Sequence, residues 1–344
     1  MNKRKNIINS IFMLILLVIT LHYIFRGEDM NSILQYIQNT DMRYWLLAII
    51  FVILFIGGES VIIFYMMHTI QQKVRLWHCF LYSFVGFFFS CITPSATGGQ
   101  PAQIYYMKKD KIPIPVATLV LMIVTITYKV VLVALGMAVL IIRPTEIMQY
   151  LNPVLGICYF GLVLNTICVG FMVLLVFHPT MAHNMLIVLI KILNKIHLIK
   201  NSQKLFIKVE NAMKQYEDVA RYFGTHKKVV WNVLVITVIQ RMLLFLITYL
   251  AYRSFGLRGT GIVTIVILQG MISVAVDMLP LPGGMGISEK MFLIIFTPVF
   301  GSVVLPAMVV SRGLSFYTEL ILSALLTIVA YFVIGKVHER KNIK

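Results

Sequence analysis

Apolar residues run along this chain in long unbroken blocks, and short polar stretches separate them. Ile7 to Phe25, Trp45 to Met67 and Val229 to Leu250 are three such blocks. Each is close to the roughly 20 residues that a helix needs to cross a hydrocarbon core. The pattern predicts an all-α polytopic integral membrane protein. Lys and Arg cluster between the blocks, and by the positive-inside rule they orient it. The first block follows Lys3, Arg4 and Lys5 but has no small-residue cleavage site, so it reads as a retained helix leading outward from a cytoplasmic N-terminus. Past an outer loop with Glu28, Asp29 and Asp41, Tyr44 to His68 returns to a basic loop holding Lys73 and Arg75.

The next block breaks the rhythm. Cys79 to Ile92 is short for a crossing, stops at Thr93-Pro94-Ser95-Ala96-Thr97-Gly98-Gly99-Gln100-Pro101, and runs on to Lys108, Lys109 and Lys111. With basic residues at both entry and exit, it predicts a re-entrant helical hairpin. Pro113 and Pro115 then open a long helix to Ile142, and Val154 to Phe177 leads back inward. The segment 178–228 carries nine Lys or Arg against Glu210, Glu217 and Asp218, with Val209, Met213, Tyr216, Ala220 and Phe223 at helical spacing. It fits a cytoplasmic amphipathic helix on the headgroup surface, and equally a connector packed on the bundle.

Val229 to Tyr252 leads outward and ends near Arg253 and Arg258, against the charge rule. Ile262 to Met278 then meets Leu279-Pro280-Leu281-Pro282-Gly283-Gly284-Met285-Gly286-Ile287-Ser288-Glu289, a second hairpin, before Pro306 to Ile334 crosses inward. The prediction is about six full spans plus two re-entrant helical hairpins, in a single domain over 1–344 lying in the cell membrane with both termini cytoplasmic. Span, hairpin and long span occur over 44–142 and again, oppositely oriented, over 229–334. That is an inverted repeat, an arrangement common in transporters.

Composition agrees and narrows the partners. With 59% hydrophobic and 12% charged residues and a mean hydropathy of +0.88 over 344 residues, a soluble domain would lack polar surface. The net charge of +17 sits in inter-span stretches, so orientation is the cheaper explanation and no nucleic acid is expected as a partner. The four cysteines form no CxxC and the histidines no HExxH, so neither metal nor cofactor is expected. No GxxxxGK[ST] loop and no nucleophile elbow is present.

Two signals carry candidate chemistry. Pro and Gly break helices that otherwise run through hydrocarbon, and broken backbone there must be buried in protein or line a cavity. Half-helices starting after Gly98-Gly99 or Gly283-Gly284 would present free N–H groups to a phosphate or carboxylate; the plainer reading is a buried turn. The second signal is charge at membrane depth: Glu59, Lys129, Arg241, Asp277, Glu289, Arg312 and Glu319. Arg312 and Glu319 are seven residues apart, two turns of one helix, so they either neutralise each other or pair with Asp277 and Arg241. Charges of both signs suit a zwitterionic or aminoacylated headgroup as well as an anionic one.

The two Pro-Gly clusters, at this separation and hydropathy, resemble those of the lysylphosphatidylglycerol synthase transmembrane family, also called flippase-like, over nearly the whole chain. In its bifunctional multiple peptide resistance factors this region flips aminoacylated phosphatidylglycerol, and a following cytoplasmic domain transfers lysine from lysyl-tRNA. That second domain is absent from this sequence. The resemblance implies that Gly98, Gly99, Gln100, Gly283, Gly284, Glu289 and Arg312 line a lipid path. It also implies a membrane phospholipid as partner, and it admits a separate synthase and a homo-oligomer. The expected function is a flippase for aminoacylated or anionic phosphatidylglycerol. The alternative is a component of lysyl-phosphatidylglycerol synthesis linked to cationic peptide resistance. It would be either a transferase with Glu289, Asp277 or Glu59 as base, or a non-catalytic partner docked through Lys204 to Lys228. The residues themselves supply no nucleophile and no donor site.

Overall fold

A computed structural model describes residues 30–195 and 202–335. The expected first span, Ile7 to Phe25, and the basic C-terminal tail lie outside the described residues. Every regular element among the described residues is helical, as lipid requires, because a helix satisfies its own backbone polar groups. Five stretches are long and apolar enough to cross a membrane: Met42–Thr69, Ile114–Ile142, Thr145–Phe177, Lys227–Ser254 and Pro282–Ile334.

After a short helix α1 (Met30–Gln38), α2 spans Met42–Thr69. Asp41 caps α2, its carboxylate accepting from the Arg43 amide at 2.9 Å. Then come α3 (Leu76–Cys91), α4 (Gly99–Lys109) and the long α5 (Ile114–Ile142). Helices α6 (Thr145–Leu151), α7 (Leu155–Phe177), α8 (Pro179–Lys195) and α9 (Ser202–Thr225) lead to the second half. That half repeats the order: long α10 (Lys227–Ser254), short α11 (Ile262–Val276), α12 (Ile287–Phe300), then α13 (Val304–Arg312), a π turn (Gly313–Tyr317) and α14 (Thr318–Ala330).

The two Pro-Gly clusters end α3 and α11 as expected. With 16 and 15 residues, these helices are about 24 and 23 Å long, short of a core roughly 30 Å thick. Each is followed by a single 3₁₀ turn, Pro94–Ala96 or Pro282–Gly284. In both turns the residue after the proline is left-handed, Ser95 at φ 49 and Gly283 at φ 57. The turns pack against each other, and the Ser95 hydroxyl donates to the Leu279 carbonyl at 3.1 Å. The clusters are therefore joined to each other rather than held apart.

Helices α2 and α10 pack along their lengths. Gly58 admits the Gln240 side chain beside it, and Gln240 Nε2 donates to the Phe55 carbonyl at 2.8 Å. Helix α5 is the most enclosed span, 61% buried, whereas the stretch containing α7 is only 17% buried and presents its apolar side chains outward to lipid. Helix α9 resolves its two readings in part. Its apolar stripe of Met213, Tyr216, Ala220 and Phe223 is buried against the bundle, and the Tyr216 hydroxyl donates to the Leu175 carbonyl at 3.2 Å. The connector packed on the bundle is what the described part of α9 forms.

Candidate functional site

Between the two halves lies a cavity of about 510 Å³. Helices α2, α3, α5, α10 and α14 line it together with both 3₁₀ turns, and Glu59, Lys129, Arg241, Asp277, Arg312 and Glu319 all reach its wall. Gly283, Gly284 and Gln100 do so as well, while Gly98, Gly99 and Glu289 stand behind it. Charges scattered through the chain are thus gathered on one space, and their partners divide them into two groups.

The first group consists of closed ion pairs. Lys129 is buried in the middle of α5; its Nζ lies 2.5 Å from Asp277 Oδ2 and 3.2 Å from Asn165 Oδ1. Asn165 in turn donates to the carbonyls of Gly161 and Val274, at 3.0 and 3.2 Å. This network ties α5 and α7 to the end of α11. Arg312 closes the second pair. Its Nε lies 2.8 Å from Glu289 Oε1, its Nη2 donates to the Gly283 carbonyl at 2.9 Å, and its guanidinium covers the Phe316 ring at 4.7 Å. The other Glu289 oxygen accepts from the Gly286 amide at 2.6 Å, so the carboxylate fills the anion position at the start of α12 itself. Removing one partner of such a pair costs about 3–5 kcal/mol, since the other is left buried and uncompensated.

The sequence offered Arg312 a different partner. Arg312 and Glu319 do not neutralise each other, and Asp277 pairs with Lys129 rather than with Arg312. The reason is the π turn at Gly313–Tyr317: its wider winding means that seven residues no longer make two α-turns. Gln100, on the cavity wall, commits its side-chain amide to the Thr125 hydroxyl and the Leu121 carbonyl. At the other turn the Gly98 amide donates to Thr93 Oγ1 at 2.8 Å. Both half-helix starts therefore have a donor satisfied from within the chain.

The second group is not closed. Arg241 forms no ion pair and no hydrogen bond among the described residues, and its buried Nε has no partner. Two rings hold it instead, the guanidinium lying 4.4 Å from the Tyr128 centroid and 5.2 Å from that of Phe55. Cation–π contacts of this kind contribute about 0.5–2 kcal/mol and leave every N–H free. Glu59 accepts from Gln103 Nε2 at 2.6 Å, and Glu319 receives the Cys91 thiol at 3.5 Å. Neither carboxylate has a cation within ion-pair distance among the described residues, although both feel the field of Arg241. A guanidinium with open donors, held by ring faces inside a polar cavity, is suited to a phosphate.

Several contributors were not singled out beforehand. The rings of Phe55 and Tyr128, the tie through Asn165 and the amide of Gln103 are invisible without the packing. Asn165 and Gln103 carry a weak signal as polar residues within apolar or interfacial stretches, but their charged partners, Lys129 and Glu59, lie 36 and 44 positions away.

A family model described as lysylphosphatidylglycerol synthase TM region matches residues 7–323 of this chain. The match covers α1 to α13, both turns and every charged residue of the cavity. No curated protein matches the chain.

Proposed function

Since this chain belongs to the lysylphosphatidylglycerol synthase TM region family, we propose that it is a lipid flippase whose cavity carries a phospholipid headgroup between leaflets. Family membership places it among multi-pass proteins of lysylphosphatidylglycerol-related membrane function. The observation that carries the finer reading is Arg241, a cation with open donors in an interior where unpaired charge is costly. The headgroup phosphate docks on Arg241, and the acyl chains stay in the bilayer. Glu59 and Glu319 flank the same space and accept an ammonium where the headgroup bears one. Phosphatidylglycerol and its aminoacylated form both meet this chemistry.

The movement follows from the repeated architecture. In our reading, α3–α4 and α11–α12 are re-entrant hairpins entering from opposite leaflets, and the halves 44–142 and 229–334 form an inverted repeat. Pairing across the halves supports this. Lys129 of α5 meets Asp277 just past the end of α11, and Glu319 of α14 meets Cys91 at the end of α3. Equivalent positions thus face each other in both directions, with an ion pair on one side and a thiol–carboxylate contact on the other. The touching turns separate the two ends of the path, and rocking one half against the other exchanges which end is open. Arg312–Glu289 braces the second half, Lys129–Asp277 spans the two halves as a contact on which they turn, and Arg241 holds the cargo.

Reconstitution into proteoliposomes with fluorescently labelled phosphatidylglycerol and aminoacylated phosphatidylglycerol tests the proposal. Leaflet exchange faster than in empty vesicles is expected. Arg241→Gln slows it about 10- to 100-fold, the equivalent of a charged hydrogen bond of about 1.5–3 kcal/mol. Exchange no faster than in empty vesicles for every headgroup would refute it.

A further inference from the structure

The charges of the cavity do not balance when it is empty. Lys129 cancels Asp277, and Arg312 cancels Glu289. Among the described residues one cation, Arg241, then remains for two carboxylates, Glu59 and Glu319, which face the same cavity and act on each other as well as on Arg241. We infer that Glu59 and Glu319 form a proton-binding site linked to the headgroup position at Arg241, so that lipid and proton move in a coupled way. The inference rests on the flippase reading and adds to it the coupling ion.

Among the described residues, the elements around the two carboxylates leave no other counter-charge. Helix α4 offers Glu59 the neutral amide of Gln103, and α3 offers Glu319 the neutral thiol of Cys91. Helix α5 presents Tyr128, which lies under the Arg241 guanidinium, and Lys129, which is committed to Asp277. From α13, Arg312 is committed to Glu289 and the Gly283 carbonyl. Helix α10 presents Arg241 alone. A net charge at this depth is costly, so with the cavity empty one proton is shared by the pair.

Occupation changes the balance. A phosphodiester monoanion on Arg241 takes the counter-charge of the remaining carboxylate, and a second proton enters. A headgroup carrying its own ammonium supplies that positive charge itself, and no second proton is needed. Proton uptake therefore depends on headgroup: about one proton per bound phosphatidylglycerol and about none per bound phosphatidylethanolamine, whose ammonium stands in for that of an aminoacyl group. Two sites coupled this closely titrate as a pair, so neither carboxylate is assigned the proton alone.

Calorimetric titration of the purified full chain in detergent, with short-chain phosphatidylglycerol or short-chain phosphatidylethanolamine in buffers of different ionisation enthalpy, counts the protons directly. A buffer-dependent heat for the first lipid and a buffer-independent heat for the second is the expected result. The double variant Glu59→Gln/Glu319→Gln removes the buffer dependence, whereas each single variant keeps it because the remaining carboxylate still takes up the proton, read only on variants that remain monodisperse; the wild-type comparison decides the matter if none does. Equal heats in all buffers for both lipids overturn the inference. In proteoliposomes, labelled phosphatidylglycerol exchange should change several-fold when a pH gradient is imposed. Exchange that is present but indifferent to the gradient overturns the coupling and leaves the flippase standing. Absence of exchange beside intact proton uptake overturns the flippase and leaves the proton site standing.

Discussion

Replacing Gly283 by alanine tests how tightly the second turn is built. Gly283 has φ +57, and an added Cβ would lie 2.2 Å from Cε2 and 2.5 Å from Cζ of Phe316. A residue with a Cβ in the left-handed region costs about 1–2 kcal/mol. The clash is a separate matter. Phe316 is buried and lies beneath Arg312, which is itself fixed by Glu289 and by the Gly283 carbonyl. The ring has little room to retreat, and overpacking of this kind costs about 1–3 kcal/mol. Gly283→Ala should therefore destabilise by about 2–5 kcal/mol.

The structure contains the controls. Gly256, in the turn that follows α10, has φ +75 with nothing within 4 Å of its Cβ position, so Gly256→Ala isolates the backbone strain at about 1–2 kcal/mol. Ser95, at the equivalent place in the first turn with φ 49, shows that the conformation alone does not demand glycine. Thermal unfolding in detergent, followed by intrinsic tryptophan fluorescence, ranks the variants by their midpoints. Gly283→Ala should fall below Gly256→Ala, and Phe316→Leu added to Gly283→Ala should recover part of the gap. Equal midpoints for the two alanine variants, or no recovery in the double variant, would refute the clash argument.

Lys129→Met and Asp277→Leu should each destabilise by about 3–5 kcal/mol, while the double variant loses much less, as unfolding midpoints will show. A double variant as unstable as the sum of the singles would mean that the two charges serve other partners. Gly161→Leu should abolish monodisperse protein, because its Cβ would lie 2.4 Å from the Val274 carbonyl oxygen and 2.6 Å from Ala275 Cα, backbone atoms that cannot yield. Gly156→Leu on the same helix, with open space around it, should elute normally by size exclusion. In the exchange assay Arg241→Lys should restore only part of what Arg241→Gln loses, since an ammonium keeps the charge but not the planar fork.

Much of the fold was legible along the chain. Block length and hydropathy predict α2, α5, α7 and α10, and the prolines with their neighbouring glycines mark where α3 and α11 stop. These are local properties: each helix satisfies its own backbone, and a proline removes a donor wherever it falls. The list of membrane-depth charges was equally legible, because an ionisable residue in an apolar block stands out by itself.

What each charge does was not legible. Arg312 and Glu319 look like partners at seven residues apart, yet the π turn between them gives Arg312 to Glu289 and leaves Glu319 to Cys91. Lys129 finds Asp277 at a sequence separation of 148, and Ser95 finds Leu279 at 184. Arg241 becomes the open cation only because α2 and α5 bring Phe55 and Tyr128 against it without a carboxylate. By itself the sequence determined which segments are helical, where they break and which charges they carry into the membrane, since backbone hydrogen bonding and hydropathy act within a segment. Only the tertiary structure decided which charges cancel and which face the cavity open, since ion pairing depends on a few ångströms between helices far apart in the chain.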